Sequence, residues 1–389
     1  MNFIQKTMVL GTVALGTWTN VWAKDFKHEF SEFVIEERAA NNLIGLSAAI
    51  MLPNGEWAAY ASGVTDPITN TPLSPKDLML AGSVGKVLWA SVALQLADEG
   101  VIDLDAKISA YIGDRIWFER LPNANDITLR SLMNHTTGIP RHIMADDFLD
   151  FYTEENQKNP NFNMTTEEVL HYALDKEPLF GVGKNISYAD TNYIVMKYII
   201  ENVTGREYYD LIKERVIDPL ELKEIVASSS RDVPGLTVGN LSDDNLFRVN
   251  SPTNKDKDGN LLYNPGIEGA GGGYAATPLG LVRLAKGLYE EKLISDGMYG
   301  QKMDTVTMAE GEGFRIGYGL GVMTYDVEFG HAIGHSGFFP GYRTDMYYFP
   351  KEGVAIAVMI NSTVPVKLTQ IALGLADKVM KSEGIRKAD

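Results

Sequence analysis

Ser83-Val84-Gly85-Lys86 is the only Ser-x-x-Lys in the chain, and it sets a hydroxyl and an amine three residues apart. On a helix, positions i and i+3 share a face, so the amine can reach the hydroxyl. A serine attacks a carbonyl only when a neighbouring base takes its proton. A lysine can be that base once burial and positive neighbours lower its pKa. The start of a helix also favours negative charge developing on Ser83. The four residues alone fit a plainer reading more readily, a serine capping a helix ahead of a solvated lysine.

Two further segments could complete such chemistry. Tyr188-Ala189-Asp190-Thr191-Asn192-Tyr193 stands just before an apolar helical pattern. A tyrosine oxygen held near a lysine can share its proton and act as base toward serine and then water, although a tyrosine packed at a helix start is the commoner case. Gly334-His335-Ser336-Gly337-Phe338-Phe339-Pro340-Gly341 reads as a glycine-rich strand. Beside a catalytic serine, the backbone N–H groups of Ser83 and Phe338 would hold an oxyanion. Gly337 would let a substrate approach, and His335 would add a polar or cationic group. A strand entry carrying an exposed histidine is the alternative.

These residues need elements to hold them. Leu46–Tyr60 reads as a hairpin turning at Pro53-Asn54-Gly55, and Tyr342–Phe349 with Val354–Asn361 as a second. Val84–Glu99 carries a helical pattern that Gly100 ends. Tyr193–Asn202 carries another that stops before Gly205, Thr165-Thr166-Glu167-Glu168 opens a third, and Val366–Lys381 closes the chain as an amphipathic helix. Helical periods dominate from about Ile108 to Thr253. Strands at both ends with helices between predict an α+β fold. Its antiparallel sheet, flanked by helices, comes from about 24–107 and 265–389, with a helical lobe from about 108–264.

Composition narrows the class. With 389 residues, 45% of them hydrophobic, the chain can bury a sizeable core. The absence of cysteine removes thiol catalysis, disulfides and cysteine metal sites together. A net charge of −16 repels phosphate backbones and anionic lipid, which argues against nucleic-acid partners. Residues 1–23 have the pattern of a cleavable secretory signal: Lys6, a largely apolar stretch from Thr7 to Trp18, then Val21-Trp22-Ala23. Loss of Lys6 with that leader takes the charge to −17. No later run is long enough to span a bilayer, so a periplasmic or secreted protein without a stable membrane span is expected.

Other local patterns fall short of a motif. Ala81–Gly85 falls one residue short of the Gly-x-Ser-x-Gly elbow, and that reading gives Lys86 no role. Gly85-Lys86 lacks the rest of a phosphate-binding loop, and the six histidines form no zinc pattern.

The order Ser-x-x-Lys, Tyr188-x-Asp190, His335-x-Gly337 resembles the serine β-lactamase and DD-peptidase superfamily. It is most similar to the branch of class C β-lactamases, D-stereospecific peptidases and related esterases. Ile127–Ile139 with its His135-Thr136-Thr137-Gly138, Val203-Thr204-Gly205, and Gly271–Pro278 also resemble that branch. The resemblance implies an active site between a mixed lobe and a helical lobe, and acyl transfer with no metal or cofactor. Ser83 would be nucleophile, Lys86 and Tyr188 the proton-transfer pair, and Asp190, His335, Gly337 and Phe338 substrate-side residues. It implies a hydrolase of D-amino-acid peptides, such as peptidoglycan stem peptides in a D-Ala-D-Ala carboxypeptidase-like reaction, or of small esters. Penicillin-binding relatives, a class C type β-lactamase and a catalytically silent cell-wall peptide-binding module stay open beside it. Three positions depart from the pattern. Asp190 replaces an asparagine that donates to the substrate amide, which a carboxylate does only when protonated. His335 replaces a lysine common in penicillin-hydrolysing members, and Pro219-Leu220-Glu221 replaces Pro-Leu-Gly.

Overall fold

A computed structural model describes residues 26–290 and 293–387; the expected leader, residues 1–23, lies outside them. The chain enters through helix α1 (Phe26–Ala40) and the hairpin of β1 (Gly45–Met51) and β2 (Trp57–Gly63). Short strands β3 (Met79–Leu80), β4 (Ile225–Ala227) and β5 (Tyr274–Ala276) form a small sheet of their own, ordered β3-β5-β4. The C-terminal part supplies β6 (Val306–Gly311), β7 (Phe314–Tyr318), β8 (Met323–Val327), β9 (Gly330–Phe339), β10 (Tyr342–Phe349) and β11 (Val354–Ile360). The main sheet is antiparallel throughout and ordered β2-β1-β11-β10-β9-β8-β7-β6, so the two chain ends meet where β1 pairs with β11. The fold is α+β, as the clustering of strand patterns at the chain ends predicts.

β1 and β11 are buried along their whole length because helices cover both faces of the sheet. Side chains alternate between the faces with period two. Leu46, Ala48, Ile50, Ile356 and Val358 pack beneath α1 and the closing helix Leu368–Ser382, while Ala49, Met51, Ala355, Ala357 and Met359 face the main core. Both predicted hairpins form: Met51 pairs with Trp57 around the Pro53-Asn54-Gly55 turn, and Phe349 with Val354.

Two helices position the site. The 3₁₀ turn Gly82–Gly85 leads into α2 (Lys86–Asp98), in which every residue from Lys86 to Leu96 is buried. A helix apolar on all sides is a core helix, and α2 runs through the middle of the molecule. Helix α3 (Asp190–Thr204) ends at Gly205 in the left-handed conformation (φ 65°), as its sequence predicts. The expected cap at Thr165 also forms, with Glu168 completing a reciprocal capping box.

Two local expectations differ from the structure. Helical structure does not persist to Thr253, since residues 228–264 hold neither helix nor strand. Side-chain amides tie this segment down: Asn254 accepts from the Gly239 N–H at 2.8 Å and Asn245 from the Val249 N–H at 2.9 Å. Such local amide bonds compete with helical ones. Glu221, where the family pattern has glycine, occupies φ 51°, a left-handed conformation that a Cβ disfavours.

β9 lies against the 3₁₀ turn. β8 pairs with it only as far as Gly334, which leaves the edge from Ser336 to Phe339 open toward Gly82 and Ser83. A Cβ added to Gly337 would lie 2.0 Å from the Ala81 carbonyl oxygen, and one on Gly82 (φ 55°) 2.6 Å from Phe338 N and O. Only residues without side chains allow this approach. Gly337→Ala is therefore expected to push β9 off the turn, lowering stability by about 1–3 kcal/mol in denaturant unfolding. Unchanged stability would show that the contact yields freely.

Candidate active site

Ser83 sits in the first turn of a helix, where backbone N–H groups have no intrahelical acceptor. One turn on, the Lys86 side chain is completely buried, and its ammonium meets three acceptors. They are Ser83 Oγ at 3.0 Å, Asp190 Oδ1 at 2.6 Å and the Gly271 carbonyl oxygen. An ammonium has three hydrogens, so all three are used. Burial alone would drive Lys86 toward its neutral form. The Asp190 carboxylate outweighs this and holds its pKa above the ordinary lysine value. The resting lysine is thus a cation, where the sequence reading expects burial to make it a base.

Asp190 heads α3 and is itself buried. Its second oxygen accepts from Arg141 Nε at 2.7 Å. Burial opposes its charge, but Lys86 and Arg141 overcome that and hold the carboxyl far below the usual carboxylate range. Asp190, expected on the substrate side, thus spends an oxygen on each of two protein cations, because a buried carboxylate this close to an ammonium is stable only when paired.

Tyr188 stands over the same cluster, with Lys86 Nζ 5.0 Å from its ring centroid and the Arg141 guanidinium 5.5 Å. Its hydroxyl is buried and makes no hydrogen bond of good geometry among the described residues, yet it lies close enough to couple to Lys86 and Ser83. Burial raises its pKa, with Lys86 opposing, so the resting group is a phenol. The ring rests on His135, whose centroid is 4.3 Å away. Asn192 accepts from Thr137 Oγ1 and must therefore donate its amide to His135 Nδ1 at 3.0 Å, which places the imidazole proton on Nε2. Burial keeps that ring neutral. The His135-Thr136-Thr137-Gly138 stretch is thus a platform for Tyr188.

Across the cleft, Phe339 and Tyr342 close the β9–β10 hairpin, so by antiparallel alternation the N–H and C=O of Phe338 point away from β10. They point toward Gly82, which places the Phe338 N–H on the edge beside Ser83. The Phe338 side chain is exposed at the mouth. His335 departs from expectation. Its Nδ1 donates to the Ser336 carbonyl at 2.6 Å, and its Nε2 accepts from the Tyr318 hydroxyl at 2.8 Å. Burial and the nearby Lys86 charge push its pKa down to about 3, so it brings no cation to the cleft.

Three residues not singled out from sequence also shape the site. Arg141 is the outer partner of Asp190. Glu268, in the turn Pro265–Gly271, accepts from the Gly273 N–H at 2.9 Å, and burial raises its carboxyl to about 8. Trp89 donates to the Gly272 carbonyl at 3.0 Å, so the Gly271–Gly273 strip is gripped from both sides. The sequence offered one signal, a glycine run that needs a polar neighbour to anchor it.

Ser83, Lys86, Tyr188, Asp190, Gly337 and Phe338 therefore meet in one cleft, with His335 buried in its wall. The family model Beta-lactamase matches residues 30–379. A D-stereospecific amidohydrolase from Streptomyces sp. superposes with TM-score 0.75 at 24% identity, covering 92% of this chain and 98% of its own. A D-amino acid amidase from Ochrobactrum anthropi SV3 gives 0.73 at 20% identity, covering 93% and 99%. A penicillin-binding protein of Bacillus subtilis (strain 168) is 24% identical over 327 residues, 82% of this chain and 69% of that protein.

Two outcomes follow from the electrostatics. Asp190→Asn removes the charge that holds the Lys86 pKa up, so the alkaline limb of the pH–kcat/KM profile should move to lower pH; an unmoved limb would detach Lys86 from that titration. For Glu268 the folded pKa exceeds the unfolded one, so the native state binds the proton more tightly. Its contribution to stability is full below pH about 4.5 and fades as pH rises toward 8, with a slope up to about 1.4 kcal/mol per pH unit. In thermal melts Glu268→Gln should flatten that decline relative to the parent, and equal slopes would count against a buried neutral carboxyl.

Proposed function

Given that the chain belongs to the beta-lactamase family of serine hydrolases, we propose that it hydrolyses D-amino-acid amides or peptides, or small esters, through an acyl-enzyme on Ser83. The leader-like residues 1–23 support action outside the cytoplasm. The Streptomyces D-stereospecific amidohydrolase and the Ochrobactrum D-amino acid amidase share the fold across nearly their whole length, which favours D-configured amides. The observation that carries the reading is the dehydrated Lys86 ammonium held 3.0 Å from Ser83 Oγ, beside the open β9 edge.

In this mechanism Ser83 Oγ bonds to the substrate carbonyl carbon, and the carbonyl π pair moves onto oxygen between the N–H groups of Ser83 and Phe338. Tyr188, resting as a phenol, acts as a relay: its own proton passes to the leaving nitrogen or oxygen as the C–N or C–O bond breaks, while it receives the proton of Ser83 and so stays a phenol. Lys86 remains an ammonium throughout. Its charge favours the negative charge that develops on the Ser83 and Tyr188 oxygens during the relay, and no proton has to move onto or off the lysine. Water then enters where the leaving group stood and adds to the acyl carbon; its proton passes to Tyr188 as Tyr188 returns its own to Ser83 Oγ, the acyl C–Oγ bond breaks, and the acid leaves.

Ser83→Ala should abolish turnover of 4-nitrophenyl esters and D-amino-acid amides while leaving the melting curve intact. Tyr188→Phe should cost roughly a hundredfold or more in kcat. Mass spectrometry with a slowly released acyl donor, such as a fluorescent penicillin, should place the adduct on Ser83. Full activity in Ser83→Ala would sink the reading.

A further inference from the structure

The cleft carries a surplus positive charge, and it sits on Arg141. At neutral pH the Lys86 and Arg141 cations flank one carboxylate, Asp190, so the row of three has a net charge of +1. Nearby groups do not cancel it. Glu268 is held largely protonated, His142 and His335 titrate near 4 and 3, and His135 is neutral. The ionisable neighbours that shift Arg141 are Asp190 and Tyr188, and the two histidines that feel its charge, His135 and His142, are neutral. This local excess lies in a chain whose overall charge is −16.

The geometry of Arg141 suits a ligand. Its side chain is 38% exposed, whereas Asp190 beside it is 9% exposed, so the guanidinium is the solvent-facing end of the row. Nε is committed to Asp190, and among the described residues the two terminal nitrogens make no hydrogen bond. The backbone is fixed on both sides. The Thr191 hydroxyl donates to the Pro140 carbonyl at 2.9 Å and accepts from the His142 N–H at 3.0 Å. The guanidinium packs toward the Tyr188 ring, and the buried, unpartnered Tyr188 hydroxyl lies in the same wall. A pre-positioned guanidinium fork with two free nitrogens is the side chain best matched to a planar oxyanion. His335, where family members can carry a cation, is buried and fully bonded and cannot supply one.

We propose that Arg141 is a specificity-determining residue that binds an anionic group, a carboxylate in the first instance, on the substrate that Ser83 attacks. This rests on the acyl-enzyme reading above. The Asp190 carboxylate, which by itself would repel such a group, instead holds the arginine toward it.

The test compares matched substrates. One pair is 4-nitrophenyl hemisuccinate against 4-nitrophenyl butyrate; the other is a D-Ala-D-Ala peptide with a free C-terminal carboxylate against its carboxamide. The parent protein should prefer the anionic member of at least one pair in kcat/KM, and Arg141→Gln should reduce that preference roughly tenfold or more. Arg141→Lys should retain part of it. Lost support for Asp190 would lower both members alike, so the ratio separates binding from positioning. A parent that prefers the neutral member of both pairs, or a ratio that Arg141→Gln leaves unchanged in both, overturns the proposal. If turnover of both pairs persists in Ser83→Ala, the acyl-enzyme reading has failed instead.

Discussion

A lysine ammonium with no access to water must be given three acceptors and a counter-charge, and much of this site follows from that requirement at Lys86. Ser83 supplies one acceptor because it lies one helical turn back. The other two come from far along the chain, Asp190 from the head of α3 and the Gly271 carbonyl from the end of the turn Pro265–Gly271. Each has needs of its own. Asp190 needs a second cation and finds Arg141. The Gly271–Gly273 strip needs anchors and finds Glu268 and Trp89. Gly85 is tied to the same demand, since a Cβ there would lie 2.1 Å from the Gly272 carbonyl oxygen. A buried ion pair contributes little net stability against apolar packing, but leaving one partner unpaired is very costly. The cluster therefore acts as a specification: the elements must meet in this arrangement or leave a charge stranded.

The two walls of the cleft divide the chemistry. The helical wall holds the protons and charges, on Lys86, Asp190, Arg141 and a Tyr188 seated on His135. The sheet wall offers backbone, the open edge of β9 brought close by Gly82 and Gly337. Backbone donors on a strand paired along its other side reorganise little during a reaction, which is what stabilising a transient oxyanion demands. An ammonium pinned by three acceptors is similarly fixed. Among the described residues the Tyr188 hydroxyl makes no hydrogen bond of good geometry, which suits a group that must exchange a proton twice per turnover.

Charge distribution links the site to the whole molecule. A chain of net charge −16 carries a cleft whose local balance is positive, so a small anion can be favoured at one point against the sign of the whole molecule. The neutral histidines and the protonated Glu268 keep that balance simple, each driven to its uncharged form by burial.

Much of the scaffold was legible in the sequence because it is encoded locally. The hairpins at Pro53-Asn54-Gly55 and before Val354, the cap at Thr165 and the stop at Gly205 are each decided by a few neighbouring residues. The proximity of Ser83 and Lys86 is likewise a matter of helical spacing. Residues 228–264 escaped because side-chain amides replace helical bonds there, which no periodicity reports. The electrostatic state of the site was beyond the sequence for a different reason. A pKa depends on which charges lie within a few ångströms and how much water is excluded, and Lys86, Asp190 and Arg141 are brought together across 104 and 49 residues of chain. The residue types and their order pointed to a serine hydrolase. Only the tertiary structure decided that the lysine rests as a cation, that His335 is neutral and that the free positive charge belongs to Arg141.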